Sequence, residues 1–257
     1  MRVNAILQEK AESLANQLRT EYPSQLFVTA RADFSRRDST RALVPNILQR
    51  EDVAEKHKTI SILVANAGLA RRIRDINDID EAAWDDVIEV NSRSQFVIVK
   101  ACLTGMRGQG WGRVILIGSI SSRGGGINGC HYAASKGALS SMGLNLATLL
   151  APEGITVNTV LPAMIGNTGM IPTPKSKYAF GIPPCVDLTQ ADPGSRTWSG
   201  NSEELEDLKA ADLGLAIAAK IPMHRLGEPE EVSNVVSMLA KTGYMTGQEI
   251  ILAGGLK

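Results

Sequence analysis

Two side chains capable of acid–base chemistry lie one helical turn apart near the middle of the sequence. Tyr132 and Lys136 are four positions apart, a spacing that brings two side chains onto one face of a helix. A tyrosine normally keeps its proton up to a pH of about 10, and a nearby ammonium group favours the phenolate form. The pair could therefore pass a proton to or from a carbonyl oxygen. Taken alone, the same spacing also fits an ordinary solvated helix face.

A hydroxyl group precedes this pair at the end of a predicted strand. The predicted strand from Arg113 to Gly118 ends in Ser119, thirteen positions before Tyr132. Side chains at the carboxyl end of a strand face the crevice where open α/β sheets bind ligands. We expect Ser119 to hydrogen-bond a substrate oxygen beside Tyr132. Ser121 and Ser122 are near alternatives, and any serine at this point can also serve only to make a turn.

The segments around these residues alternate between helix and strand. Apolar positions recur at helical spacing in some segments and form short continuous runs in others. This alternation predicts an α/β fold with a doubly wound parallel sheet, Rossmann-like, in a single domain over 1–257. A stretch rich in proline and glycine predicts a lid-like insertion at about 169–221. Helices are predicted at 6–18, from Asp33 to about His57, and at 80–107, 131–150 and 228–241, and strands at Leu26–Ala30, Thr59–Ala65, 112–118, 155–161 and 249–252.

The composition is that of an ordinary soluble protein. The 257 residues are 44% hydrophobic and 21% charged, with 27 acidic and 27 basic residues. This balance favours neither a nucleic-acid surface nor a membrane surface. Three separated cysteines indicate a reducing compartment, and the absence of a long apolar run or signal peptide predicts a cytoplasmic protein. His57 and His224 have no partners at ligand spacing, so no metal site is predicted. His131 should point about 100° away from Tyr132 on the same helix.

In their order and spacing these motifs resemble the short-chain dehydrogenase/reductase family. The resemblance covers roughly residues 10 to 255 and is closest to the 3-oxoacyl-thioester reductases of that family. It is carried by Asn66-Ala67-Gly68 after a strand, Asn91, Ser119, Tyr132 with Lys136, Pro162, and the segments 225–232 and 246–248.

The resemblance implies a catalytic role for four of these residues. Tyr132 would be the general acid in reduction, and Lys136 would lower its pKa and bind the nicotinamide ribose. Ser119 would hold the substrate carbonyl, and Asn91 would anchor a proton-relay water.

The resemblance also implies a cofactor site for NADP, with NAD as a possible alternative. Asp33 would contact the adenine, and Asn66, Ala67 and Gly68 would line the adenosine ribose. Ile165 with Thr168 would lie where the nicotinamide carboxamide is held, next to Tyr132 and Lys136. Two of these assignments have plainer alternatives, since Asp33 could cap a helix before Ser35 and the Asn66 to Gly68 turn could simply end a strand.

One part of the family pattern has no counterpart in the printed sequence. The family opens with a strand, a glycine-rich turn and a helix that receive the cofactor pyrophosphate, but no glycine precedes Gly68. We therefore expect an N-terminally truncated member that lacks two strands of the family order 3-2-1-4-5-6-7. Their loss would open a gap of roughly 10 Å in the sheet, at about 4.8 Å per strand. Either the Leu26–Ala30 strand shifts inward to pair with the Thr59–Ala65 strand, or it leaves unpaired backbone.

The resemblance predicts an oxidoreductase that acts on a small-molecule carbonyl substrate, possibly a 3-oxoacyl thioester. The apolar faces of the helices at 80–107 and 131–150 predict a homo-oligomer, a dimer or a tetramer. Two other functions stay open at this point. One is a truncated, non-catalytic homologue that associates with full-length relatives, and the other is a nucleotide sensor without turnover.

Overall fold

A parallel four-stranded sheet forms the centre of the fold. The structure is a computed structural model, and it describes residues 3–124, 126–171 and 217–256. The strands stand in the order β1-β2-β3-β4, and each neighbouring pair is parallel. They comprise β1 Ile62–Ala65, β2 Gly112–Ile117, β3 Ile155–Pro162 and β4 Glu249–Leu252.

Helices cover both faces of this sheet, which confirms the predicted doubly wound α/β fold. α5 and α6 pack on one face, and α7 packs on the other. In the described residues the α-helices are α1 Val3–Glu21, α2 Arg37–Leu48, α3 Glu51–Ala54, α4 Glu81–Ile88, α5 Ser94–Gln109, α6 Cys130–Leu150 and α7 Pro229–Lys241. Short 3-10 helices occupy Ile76–Asp78, Ile120–Arg123 and Ala151–Glu153.

Alternate side chains of β2 enter two separate cores. Val114 packs in a buried cluster with Leu139 of α6, whereas Ile115 points the other way and packs with Leu239 of α7. Burial of one such side chain contributes about 1.5–3 kcal/mol. Because β2 is buried on both faces, its position is fixed from both sides, and so is the crevice at its carboxyl end.

Close contact between α6 and the sheet depends on Gly143. A Cβ atom at this position would lie 2.8 Å from Thr159 Oγ1 and 3.0 Å from Leu116 Cδ1. A larger side chain would push the helix outward or displace these two residues. Gly143 therefore sets the depth of α6, whose first two turns carry Tyr132 and Lys136.

The helix predicted at about 80–107 is interrupted. α4 ends at Ile88, α5 begins at Ser94, and a π-helical turn occupies Glu89–Arg93. Such turns place an extra residue in the helix and occur frequently at functional sites. Asn91 lies in this turn and is 0% exposed. The apolar periodicity alone did not predict the interruption.

The prediction of a strand at Leu26–Ala30 is wrong. Residues 26–33 follow an irregular path between α1 and α2. A strand needs a neighbour for its backbone groups, and here the Phe27 carbonyl accepts hydrogen bonds from Nε and Nη2 of Arg19, at 2.9 and 2.6 Å. A side chain of α1 thus takes the place of a strand partner, and the inward pairing with β1 does not form.

As far as the described residues extend, β1 is an edge strand with β2 as its neighbour. Ile62 and Val64 are 44% and 42% exposed. Val64 is in register with Ile115, so both point to the face that α7 covers further along the sheet. β1 thus presents apolar side chains to solvent. The lid predicted at about 169–221 lies for most of its length outside the described residues.

Candidate active site

The first two turns of α6 bring two functional side chains into the core. α6 begins at Cys130, and both Tyr132 and Lys136 are buried, with Lys136 only 3% exposed. Lys136 Nζ lies 5.9 Å from the centre of the Tyr132 ring. The structure therefore brings together the two residues whose spacing first indicated acid–base chemistry.

Lys136 is held by the carboxyl end of β2. Its Nζ donates a hydrogen bond to the Ile117 carbonyl at 2.8 Å. Burial disfavours the charged form and lowers the pKa of Lys136 to about 8. An ammonium group has three N–H donors, and Ile117 is the acceptor for one of them. Within the described part of the chain the other two are available to a ligand.

Ser119 lies two residues after the end of β2 and forms a side-chain hydrogen bond with Tyr132. Its hydroxyl accepts a hydrogen bond from the Ser121 backbone N–H at 3.2 Å, so the residue also makes the turn that opens the next 3-10 helix. A hydrogen bond with Ser119 lowers the pKa of Tyr132, but burial raises that pKa by more, to above its usual 10. The phenol therefore keeps its proton at neutral pH, which suits a proton donor.

Asn91 connects the π-helical turn to the loop after β1 and to α6. Its Oδ1 accepts a hydrogen bond from the Leu69 N–H at 2.6 Å, and its Nδ2 donates to the Leu69 carbonyl at 2.9 Å. The same Nδ2 donates to Ser135 Oγ at 2.9 Å, and Ser135 donates onward to the Tyr132 carbonyl at 2.7 Å. This network fixes the loop relative to α6.

The turn at Asn66, Ala67 and Gly68 lies against the same buried lysine. A Cβ atom at Gly68 would lie 3.4 Å from Lys136 Nζ and 3.5 Å from Asn91 Oδ1. Gly68 thus brings its backbone close to the ammonium group, because it has no side chain to separate them. An ammonium donor beside bare backbone suits the hydroxyls of a nicotinamide ribose, so these residues fit that half of a nicotinamide nucleotide. Gln95 supports the turn by donating to the Ala67 carbonyl at 3.2 Å.

The remaining predicted cofactor residues lie in two other places. The Asp33 carboxylate accepts hydrogen bonds from Ser35 N and Oγ at 3.0 and 2.6 Å, and these bonds lower the pKa of Asp33. The carboxylate thus makes a local turn before α2. It does not cap that helix, because the N-cap residue of α2 is Arg36, so the helix-cap alternative for Asp33 is wrong. Ile165 and Thr168 follow β3, where the Thr168 hydroxyl donates to the Ile165 carbonyl at 3.0 Å.

A cavity of about 680 Å³ joins the loop after β1 to the segment after β3. Gly68 is one of its lining residues, and Lys136 lies against Gly68. It is of the size of pockets that bind small organic ligands. Its lining residues are Gly68, Leu69, Ala70, Arg72, Asn128, Gly169, Met170 and Ile171.

Sequence reasoning missed three residues of this region. Ser135 was identifiable, because it lies between Tyr132 and Lys136 on the same helix. Gln95 follows Asn91 by one helical turn. Arg72 gave no signal, because its relation to Met170 depends on a contact between distant segments.

His131 does not join the site. It is buried, and burial together with the nearby charge of Arg71 lowers its pKa. In the part of the chain that the structure describes, neither ring nitrogen has a hydrogen-bond partner. The described residues contain no group of three His, Cys, Asp or Glu side chains placed to hold a metal ion. No helix among the described residues is long and apolar enough to cross a bilayer.

The chain is similar to known reductases over most of its length. A family model for short chain dehydrogenases matches residues 1–178. The 3-oxoacyl-(acyl-carrier-protein) reductase of Escherichia coli is 33% identical over 212 residues, which cover 80% of this chain and 72% of that protein. The acetoacetyl-CoA reductase of Cupriavidus necator is 28% identical over 232 residues, 90% of this chain and 77% of that protein.

Among solved structures, the fold resembles an NADH-dependent reductase that is responsible for alginate metabolism. The TM-score is 0.62 and the identity 27%, and the match covers 88% of this chain and 74% of that chain.

Proposed function

The chain belongs to the short chain dehydrogenase family of NAD(P)-dependent oxidoreductases, and on that premise we propose that it transfers a hydride between NADP(H) and a carbonyl substrate. NAD(H) is the alternative nucleotide. The observation that carries the proposal is that Ser119 and Tyr132 form a hydrogen bond next to the buried Lys136. We further propose a 3-oxoacyl thioester as the substrate, because relatives that match most of this chain are named as reductases of such compounds.

In this mechanism Tyr132 supplies the proton. The nicotinamide nucleotide, when bound, supplies the hydride to the carbonyl carbon. Ser119 positions the carbonyl oxygen beside the phenol, and Tyr132 gives that oxygen its proton. The reduced substrate leaves as an alcohol, and the phenolate regains a proton from water.

Lys136 and Asn91 have supporting roles in the proposal. The free N–H donors of Lys136 hydrogen-bond the ribose hydroxyls beside Gly68, and its positive charge stabilises the phenolate that forms when Tyr132 loses its proton. Asn91 holds the Leu69 backbone and so keeps the loop after β1 at a fixed distance from α6. The two residues thus order the site around the reacting oxygen.

Cofactor binding and turnover test the proposal directly. We expect the purified 257-residue chain to bind NADPH, and NADH more weakly, as a saturable change in the fluorescence of the reduced nicotinamide. Addition of acetoacetyl-CoA should then oxidise the bound nucleotide, and the loss of absorbance of the reduced nicotinamide measures this oxidation. A folded chain that binds neither nucleotide would contradict the proposal and favour a non-catalytic homologue.

We also propose a cytoplasmic homo-oligomer, a dimer or a tetramer. Cys102 and Cys130 are free thiols, which suits a reducing compartment. Phe96 of α5 and Leu149 of α6 are exposed, on helices that pack on the same face of the sheet. We infer that these apolar side chains are covered in the subunit contact.

The oligomer is expected to weaken when this face carries a charge. Phe96→Glu should raise the subunit dissociation constant by about 10-fold or more, because it places a charged group in an apolar contact. Light scattering after gel filtration measures the mass at several concentrations. Ile76→Glu, which changes an exposed side chain outside α5 and α6, is the matched control. Equal masses for wild type and Phe96→Glu at every concentration would exclude this face as the contact.

A further inference from the structure

One cationic side chain lies on the wall of the cavity next to the candidate active site. The described wall consists of glycines, apolar side chains and Asn128, with Arg72 as the charged member. Arg72 is exposed to solvent, so its guanidinium group is accessible to an anionic oxygen atom that enters the cavity. A charge-assisted hydrogen bond between the two is stronger than one between neutral groups.

The guanidinium group of Arg72 is held in place but has no counter-ion among the described residues. Its Nη2 donates a hydrogen bond to the Met170 carbonyl at 3.0 Å. Met170 itself lines the cavity, so the side chain reaches from one wall towards the other. The neighbouring Arg71 differs, because it forms an ion pair with Asp86. Arg72 therefore keeps an uncompensated charge and several free N–H donors.

The position of Arg72 is tied to the catalytic residues through a short piece of backbone. Leu69, three residues before Arg72, is held by two hydrogen bonds to Asn91, and Asn91 is bonded to α6 through Ser135. A ligand group bound to Arg72 would thus lie at a defined separation from Tyr132. Such a second attachment point orients a substrate, since it leaves few ways to present the carbonyl group.

We propose that Arg72 binds an anionic oxygen group, a carboxylate or a phosphate, carried by the carbonyl substrate itself. The planar guanidinium can offer paired N–H donors to either group. The inference rests on the proposed function in one respect, namely that the ligand of the cavity is the carbonyl substrate. It adds that this substrate is charged, and that Arg72 selects it over a neutral carbonyl compound of the same shape.

Binding measurements with matched pairs of compounds test this assignment without requiring turnover. Acetoacetate and methyl acetoacetate differ in a carboxylate. Acetoacetyl-4′-phosphopantetheine and acetoacetyl-pantetheine differ in a phosphate group. Dissociation constants for all four compounds and for NADPH are measured by saturation-transfer NMR with the wild type, with Arg72→Gln, and with Arg74→Gln as the control. Arg74 is exposed and makes no side-chain hydrogen bond or ion pair to the described residues.

We expect the wild type to bind the charged member of at least one pair at least about 10-fold more tightly than the neutral member. This is the gain in affinity that one hydrogen bond to a charged group provides. Arg72→Gln should remove this preference while leaving the neutral compounds within about two-fold, and Arg74→Gln should keep it. The pair that shows the effect distinguishes a carboxylate from a phosphate.

Three results would overturn the assignment. They are equal affinities within both pairs for the wild type, a preference that survives in Arg72→Gln, and a loss in Arg72→Gln that affects only the binding of NADPH. The last result would assign the anion to the nucleotide rather than to the substrate. A failure of the proposed function would be recognised by a different result: the wild type would oxidise no nucleotide with any of the four compounds.

Discussion

Replacing Tyr132 with phenylalanine is expected to lower kcat for carbonyl reduction by about 10³-fold, within the range that a positioned general acid supplies. The substitution keeps the ring that packs in the core and removes the hydroxyl that meets Ser119. Without that hydroxyl the developing alkoxide has no side-chain proton donor and must take its proton from water. The fold and the binding of nucleotide should change little. Steady-state kinetics with acetoacetyl-CoA, together with nucleotide titration, measure both quantities.

A matched control for Tyr132→Phe is Tyr244→Phe, since the Tyr244 side chain is fully exposed. It should retain wild-type kcat. Because burial raises the pKa of Tyr132, reduction should proceed at neutral pH, whereas oxidation of the alcohol needs the phenolate and should speed up as the pH rises towards that pKa. If Tyr132→Phe turns over as fast as the wild type, Tyr132 is not the proton donor.

Replacing Lys136 with methionine is expected to abolish turnover and to change how stability depends on pH. Burial lowers the pKa of Lys136 from 10.5 to about 8 in the folded protein. Below pH 8 the folded state therefore holds a buried cation, at a cost of about 3 kcal/mol relative to the unfolded chain. Between the two pKa values the unfolded state binds more protons than the folded state, so the free energy of unfolding of the wild type should rise with pH.

The methionine variant lacks this titration. The difference in unfolding free energy, variant minus wild type, should therefore fall by about 3 kcal/mol between pH 7 and pH 11. The hydrogen bond to the Ile117 carbonyl does not affect this change, because a neutral amine also donates. Urea unfolding at a series of pH values, without added nucleotide, provides the measurement. Lys241→Met, at an exposed position of α7, is the control, and a pH-independent difference for Lys136→Met would show that the lysine is not buried as a cation.

The sheet could be predicted from the sequence where a strand is buried on both faces. The runs that became β2 and β3 are rich in β-branched and apolar residues and are buried along most of their length, and both neighbours of each strand are present in the structure. The run Leu26–Ala30 has equally good strand propensity but no adjacent strand, and it forms none. Propensity thus indicated which segments can be strands, and the availability of a partner decided which ones are.

The candidate site was accessible to sequence reasoning through local spacing and through motif order. The four-residue spacing of Tyr132 and Lys136 places both on α6, and the structure brings Ser119, Asn91 and Gly68 to the same point. Their catalytic roles remain predictions. Two features could not be read from the sequence, because they depend on distant contacts. One is the bond from Lys136 to Ile117, and the other is the position of Arg72 beside Met170.

The edge strand β1 also bears on how the protein behaves in concentrated solution. Its four residues, Ile62 to Ala65, include no charged residue and no proline, and these are the residue types that usually prevent edge strands from adding further chains. Backbone groups without a strand partner and exposed apolar side chains at such an edge form a template. An extended segment of another molecule can pair with it as an additional strand. We therefore expect these four residues to promote self-association during purification and storage, and a net charge of zero offers no repulsion to oppose it.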